Sequence, residues 1–148
     1  GPAVIAVSRA EIGTFHADGH RQHADAYRPR LRAGIELGRC IPADLYLRAQ
    51  RIRRQARLEL APLLARYDAL VMPSALGSAP DRSTTGDPSF NGPWTGLGVP
   101  AVSLPTGLAP DGLPLGTQLV GAPFEEARLL GAARWVEAQM GFTGAPKL

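Results

Sequence analysis

The pattern of apolar residues changes near residue 67, and this change restricts the first half of the chain to helices and places the strands in the second half. Before it, apolar residues recur at helical spacing, whereas residues 68–73 form a short apolar run ended by proline, as is typical of a buried strand. Two further apolar runs, at 101–105 and 114–121, indicate two more strands. The sequence therefore predicts an α/β fold in which helices pack on a small mixed sheet.

The helices of the first half are predicted from a 3.6-residue period and from their end signals. Residues 3–26 form one helical segment, and a short helix over 29–37 is stopped by Gly38. A long helix begins near Pro42 and is expected to kink or restart at Pro62, because an internal proline removes a hydrogen bond. Its apolar stripe is expected to be buried and comprises Leu45, Ala49, Ile52, Ala56, Leu60, Leu63 and Tyr67.

The second half is predicted to hold a β-hairpin, a long loop and a final helix. The hairpin spans about 101–121, since Asp111-Gly112 supplies the positive φ that a tight turn demands. Residues 74–100 lack any period, and loops of that length are uncommon unless they are functional or disordered. The last helix is predicted from Phe124 to about Met140 with Gly141 as its stop, and its buried face comprises Leu129, Leu130, Ala133, Val136 and Met140.

Composition excludes several classes of protein. The chain has 148 residues, 45% of them hydrophobic, and its apolar runs are all shorter than a membrane-spanning helix needs. The N-terminus lacks the basic region of a signal peptide, and its apolar stretch is too short for one. Cys40 is the only cysteine, which rules out an internal disulfide and favours a cytoplasmic setting. No cofactor is expected.

Candidate reactive groups give only weak patterns. His16, His20 and His23 can share a helix face, yet no acidic residue completes a metal-binding motif, so packing or solvent-facing histidines are favoured. A catalytic Cys40 thiol lacks the local signatures of thiol proteases. The serines lie outside any Gly-x-Ser-x-Gly elbow, and these are Ser8, Ser74, Ser78, Ser83, Ser89 and Ser103.

The first half of the chain is basic, with thirteen arginines against eight acidic residues in positions 1–82. Five of these arginines are clustered on the predicted long helix, at Arg48, Arg51, Arg53, Arg54 and Arg57. A solvated helix face is the favoured interpretation, and a nucleic acid partner is not expected because aromatic residues are not interleaved. The alternative is a non-catalytic interaction module that uses this arginine-rich face for an anionic partner.

Three segments of the second half share the proline and glycine spacing of one enzyme family. They are Tyr67-Asp68-Ala69-Leu70-Val71-Met72-Pro73-Ser74, Phe90-Asn91-Gly92-Pro93-Trp94-Thr95-Gly96-Leu97-Gly98-Val99-Pro100-Ala101-Val102-Ser103-Leu104-Pro105-Thr106-Gly107-Leu108, and Asp111-Gly112-Leu113-Pro114-Leu115-Gly116-Thr117-Gln118-Leu119-Val120-Gly121. The similarity continues from Phe124-Glu125-Glu126 through Leu129-Leu130 to Glu137. Upstream, Tyr46-Leu47-Arg48-Ala49-Gln50 supplies a Tyr-x-x-Ala-Gln helix. The chain therefore resembles the C-terminal part of the amidase signature family, whose members hydrolyse amides and include glutamine-handling amidotransferases.

The resemblance implies that residues 1–148 are one portion of an amidase domain, with 1–66 helical, 67–123 holding the strands and long loop, and 124–141 the last helix. The family uses a serine nucleophile, a bridging serine in a cis peptide and a lysine base, all upstream of the region matched here. This chain has no two consecutive serines in its sequence, and its only lysine is Lys147 near the end. No catalytic residue is assigned, and the expected partner is the missing N-terminal amidase portion or a second copy of the chain.

The resemblance also places the 74–100 loop near the mouth of the substrate pocket. Phe90, Asn91, Trp94 and Thr95 are the predicted substrate-binding residues, with Asn91 as a group that hydrogen-bonds a small-molecule amide. The alternative is that Phe90 and Trp94 anchor the loop. Gln118 is expected to satisfy backbone groups rather than to bind substrate.

Overall fold

The computed structural model of the chain describes residues 1–144, so Lys147 lies outside the described residues. The chain divides into two compact units, Gly1–Arg57 and Leu58–Leu148. The predicted α/β class is confirmed, and so is the hairpin.

The first unit is built from helices. Helix α1 spans Pro2–Phe15, α2 spans Ala17–His23 and α3 spans Pro29–Arg39, with a 3₁₀ turn over Ala24–Ala26. The single segment predicted over 3–26 is broken at His16, whose φ of −90° and ψ of 5° end α1. The prediction that Gly38 stops α3 was wrong, because α3 continues through Gly38 to Arg39.

Close packing between α1 and α3 explains why a glycine sits inside a helix. A Cβ atom on Gly13 would lie 2.8 Å from the backbone nitrogen of Arg39, and one on Gly38 would overlap the carbonyl oxygen of Arg9. Gly13 and Gly38 are both buried, as are Val7 and Ile35. Glycine is therefore retained at position 38 because the two helix backbones meet there, not because the helix ends.

Helix α4 spans Ala43–Arg66 and includes Pro62, so the predicted restart does not occur. The predicted burial of its stripe was largely wrong. Ala49 is buried and Ala56 and Leu60 are half-buried, but the others are exposed, namely Leu45, Ile52, Leu63 and Tyr67. The helical period marks an apolar face, and the described residues leave most of that face uncovered.

The second unit contains a three-stranded sheet. Strand β1 spans Leu70–Pro73, β2 spans Ala101–Leu108 and β3 spans Pro114–Val120, in the order β1-β3-β2. Both described pairings are antiparallel, which corrects the expectation of a mixed sheet. The turn forms where it was predicted, with Gly112 at φ 79° and its N–H donating to the carbonyl of Ala109. Strand β2 continues past Pro105, across an irregularity between Pro105 and Gly107.

The long loop between β1 and β2 contains regular structure that the sequence did not indicate. A 3₁₀ turn spans Pro88–Phe90, and helix α5 spans Gly92–Leu97 and ends at Gly98 with φ 68°. A six-residue helix is too short to show a helical period. The proline and glycine content of the segment therefore predicted a loop.

Helix α6 spans Glu126–Met140 and covers one face of the sheet. It begins after Phe124 because that residue has φ 62°, which a right-handed helix excludes, and it ends at Gly141 as predicted. The shared core comprises Leu104, Leu119, Leu129 and Ala133. Burial of Leu130 and Met140 was wrongly predicted: Leu130 is turned about 100° from Leu129, and Met140 is the last residue of the helix.

Candidate functional site

Side chains along a strand alternate between the two faces of a sheet. Because Leu119 and Leu104 pack against α6, their neighbours point to the opposite face. We call this the loop face, and we define it by Met72, Ser74, Ser103, Gly116 and Gln118.

Two hydroxyl groups meet on the loop face above the central strand. The Oγ atoms of Ser74 and Ser103 are 2.9 Å apart, although Ser74 directly follows the edge strand β1 and Ser103 lies within the other edge strand, β2. The backbone N–H of Ser74 donates to the carbonyl of Gly116 at 2.9 Å. A Cβ atom on Gly116 would lie 2.9 Å from the Ser103 hydroxyl and overlap that of Ser74. Glycine at position 116 therefore allows the hydroxyl pair to form across β3.

The hydroxyl pair lines an open cavity of about 680 Å³ between the sheet and the long loop. Asn91, one of the predicted substrate-binding residues, lines the same cavity and is exposed. Polar groups contributed by two strands and the loop thus face one space, whose lining includes Ser74, Asp87, Asn91, Ser103, Pro105 and Gly116.

Gln118 ties the loop to the central strand. Its side chain is 5% exposed, and its Nε2 donates to the carbonyl oxygen of Phe90 at 2.9 Å. The prediction that Gln118 satisfies a backbone group is confirmed. A buried amide must be paired in this way, because an unpaired polar group in the interior is costly.

Trp94 makes a second contact between the loop and the sheet. Its indole N–H points to the sulfur of Met72 at 3.1 Å, and the side chain is half-buried. Phe90 is also half-buried, whereas Thr95 is exposed. These contacts hold the segment against the loop face; direct contact of Phe90, Trp94 or Thr95 with a substrate stays a prediction.

Aspartates in the loop and the hairpin turn accept hydrogen bonds that lower their pKa values. The pKa of Asp87 lies below its ordinary value because the hydroxyl and then the backbone N–H of Ser89 donate to it. The pKa of Asp111 is lowered chiefly by the Ser78 hydroxyl, at 2.6 Å, and then by the Leu113 N–H. The Ser78–Asp111 bond joins the loop to the hairpin turn.

We expect the Ser78–Asp111 link to weaken only at acidic pH. A carboxylate with a lowered folded-state pKa stabilises the fold above its unfolded-state pKa of about 3.9, and that contribution is lost as pH falls through the folded-state value. In an NMR titration, Ser78→Ala should raise the pKa of Asp111 toward the ordinary aspartate value. An unchanged pKa in that variant would show that the hydroxyl does not act on the carboxylate.

Two of the three candidate histidines contact neighbours within the first unit, and the third, His23, is exposed. His16 Nδ1 lies 3.2 Å from the hydroxyl of Tyr27, and His20 Nε2 lies 3.3 Å from a carboxylate oxygen of Glu36. Across residues 1–144, no group of three potential ligands is arranged to hold a metal ion. Cys40 is an exposed free thiol at the end of α3.

Sequence reasoning missed the roles of Ser74 and Ser103, which it treated only as candidates for a serine triad. The signal was present in the period-2 alternation of β2 and β3, which puts Ser103 and Gly116 on one face. Their meeting with Ser74 depends on the strand order, which local patterns do not contain.

Comparison with known proteins identifies the family of the chain. The family model described as Amidase matches residues 9–130, which is most of the chain. The chain belongs to the amidase family. The glutamyl-tRNA(Gln) amidotransferase A chain of Neisseria meningitidis serogroup C is 34% identical over 147 residues, an alignment that covers 91% of this chain and 31% of that protein. Its counterpart from Parvibaculum lavamentivorans is 36% identical over 110 residues, covering 69% and 22%.

Solved structures of amidase-family proteins share the fold. A crystal structure of an amidase superposes with a TM-score of 0.82 at 29% identity, covering 93% of this chain and 34% of that one. The chain thus spans about a third of the length of the amidase and the amidotransferase that it matches. None of these similarities supports an interaction module built on the arginine-rich face. Within residues 1–144, the helices lack the combination of length and apolar character that a bilayer-spanning segment requires.

Proposed function

We propose that this chain is the C-terminal part of an amidase-family hydrolase, which cleaves a carboxamide through an acyl-enzyme in the intact protein and is inactive by itself. The family match over residues 9–130 carries this proposal. Because the chain spans about a third of its relatives, the remaining polypeptide would supply the nucleophile and the base.

The chemistry of the described residues supports an incomplete site. A serine hydroxyl is a poor nucleophile until a neighbouring base takes its proton, and a lysine can do so only when burial keeps it neutral. Residues 1–144 contain no lysine, so the Ser74–Ser103 pair has no such base beside it within the described chain. This pair is therefore not a substitute for the family's catalytic serines and lysine.

The role of this portion would be to form one wall of the substrate pocket. Asn91 lines the cavity with an amide that can donate to a substrate carbonyl and accept from a substrate N–H. Phe90, Trp94 and Thr95 belong to the same segment, which Gln118 holds in place. A cavity of about 680 Å³ suits a small-molecule amide.

Exposed apolar side chains support a covering partner, which we propose to be the N-terminal amidase portion. Phe124 is 91% exposed, Trp135 66% and Val71 59%. In the second unit, Trp135 and Val71 line an open groove between β1 and α6. Among residues 1–144, strand β1 pairs with β3 alone, which leaves its other edge available to a further strand. Self-association through the same surfaces is the alternative.

The test compares propionamide hydrolysis by the chain alone with hydrolysis after co-production with the N-terminal portion of an amidase-family relative. We expect background ammonia release from the chain alone, and a complex with measurable turnover from the pair. Asn91→Ala in that complex should lower kcat/KM about two- to tenfold, the loss expected for one hydrogen bond.

Two controls make this test decisive. The same pair, with the lysine base removed from the complementing portion, should fall to background. Enzyme-like ammonia release by the purified chain alone would contradict the proposal. Size-exclusion chromatography checks the partner independently, because migration of both polypeptides as separate species would rule out this portion as the covering partner.

A further inference from the structure

We propose that the Ser74–Ser103 hydroxyl pair binds a primary carboxamide group of the substrate, with one hydroxyl donating to the carboxamide oxygen and the other accepting from its NH₂ group. This inference rests on the proposed function in that it concerns the same cavity. It adds a pair of specificity-determining residues, which neither the sequence motifs nor the family match assigns to the substrate.

The hydrogen-bonding capacity of the pair favours this ligand. At 2.9 Å, one hydroxyl donates to the other, which uses one O–H and one lone pair. The accepting hydroxyl keeps its own O–H, and the donating hydroxyl keeps its lone pairs. The pair therefore presents one donor and one acceptor on adjacent oxygen atoms. A primary carboxamide offers the complementary acceptor and donor, whereas a carboxylate offers only acceptors and an ammonium group only donors.

The pair is open to the cavity, while the nearby Ser78 hydroxyl and Gln118 amide already have partners. Ser103 is exposed and Ser74 is half-buried, and both line the cavity. The Ser78 hydroxyl on the same cavity donates to Asp111 at 2.6 Å. The buried Gln118 amide donates to Phe90 at 2.9 Å. A ligand in this cavity therefore meets uncommitted hydrogen-bonding capacity at Ser74 and Ser103.

The fold also holds the two hydroxyls in place before a ligand arrives. Ser103 lies within β2 opposite Gln118, and the Ser74 N–H is bonded to the Gly116 carbonyl. The missing side chain at Gly116 leaves room for both oxygens. Groups fixed on strands lose little freedom when they bind a ligand, which favours selective recognition.

The test is a titration of the 148-residue chain with propionamide, followed by ¹H–¹⁵N NMR. We expect saturable shifts at the amides of Ser74, Ser103 and Gly116. Ser103→Ala and Ser74→Ala should each raise the Kd about two- to tenfold. Ser8→Ala is the control, since it removes an exposed serine hydroxyl from α1 in the first unit, and it should leave the Kd unchanged.

Two chemical controls address the group that is recognised. N,N-dimethylpropionamide keeps the carbonyl oxygen but has no N–H group to donate. Propionate has two acceptor oxygens and no donor. Each should therefore bind more weakly than propionamide. Equal binding of the three compounds, an unchanged Kd in both serine variants, or no saturable shift in the wild-type chain would each overturn the proposal. Binding is measured here without turnover, so a failure of the hydrolysis test would leave this result standing, and the reverse also holds.

Discussion

Gly38→Ala should destabilise the first unit by about 2 to 3 kcal/mol, because the added methyl group would clash with the backbone of α1. A Cβ atom at this position would overlap the carbonyl oxygen of Arg9 and lie 3.2 Å from the backbone nitrogen of Gly13. Alanine favours a helix over glycine by at most about 1 kcal/mol, which is too little to compensate. Helix α3 must shift away from α1, and buried side chains such as Ile35 would lose contacts.

Gly34→Ala is the matched control within the same helix. Its Cβ atom would meet the guanidinium of Arg9 rather than a backbone. A long, flexible side chain can move aside, so this variant should stay within about 1 kcal/mol of the wild type. Gly38→Ala and Gly34→Ala make the same substitution in the same helix, and they differ in whether the new methyl group meets a backbone atom or a flexible side chain.

Urea denaturation followed by far-UV circular dichroism provides the measurement, since the first unit is helical. Amide hydrogen exchange in α1 and α3 localises the loss. Gly131→Ala, in α6, adds a methyl group into open space and should stabilise slightly. Equal stability of the Gly38→Ala and Gly34→Ala variants would show that α1 and α3 do not pack as closely as described.

Gln118→Met should destabilise the second unit by about 1 to 3 kcal/mol and release the segment that contains Phe90 and Trp94. Methionine has a similar length and shape but no amide, so the Phe90 carbonyl loses the donor that lies 2.9 Å away. The position is 5% exposed, which leaves little room for water to replace that donor. The cost is therefore that of an unsatisfied polar group rather than of a cavity.

The Trp94 indole N–H signal and amide exchange across 90–97 report this release directly. The contact of the indole with Met72 should be lost in a larger fraction of molecules when the Gln118 bond is absent. Gln139→Met is the control, because Gln139 is exposed in α6. If protection of residues 90–97 were the same in Gln118→Met as in the wild type, the amide would not be what holds the segment.

These two variants separate the architecture from the site. The first acts in the helical unit, far along the chain from the cavity residues. The second acts on the segment that carries Asn91, and it should therefore also weaken propionamide binding if that segment forms part of the pocket. If Gln118→Met lost amide-exchange protection at residues 90–97 but still bound propionamide, the ligand would be bound by Ser74 and Ser103 without this segment.

The sequence by itself determined the features that depend on neighbouring residues. The turn at Gly112 and the stop at Gly141 follow from positive φ angles that glycine adopts without strain. The helical period indicated the long helices, short apolar runs indicated the three strands, and the spacing of prolines and glycines indicated the amidase family before the fold was known.

Only the tertiary structure decided which side chains meet. Gly38 is a local stop signal in the sequence, yet it lies inside α3, where the backbone of Arg9, 29 residues earlier, leaves no room for a side chain. Ser74 and Ser103 are likewise 29 residues apart, and they are brought together by a strand order in which β3 lies between them. A local pattern specifies backbone angles and an apolar face, whereas the partner of that face depends on chain segments that are distant in sequence. For this reason the sequence indicated Asn91, the longer helices and the turn, but not the meeting of Ser74 and Ser103.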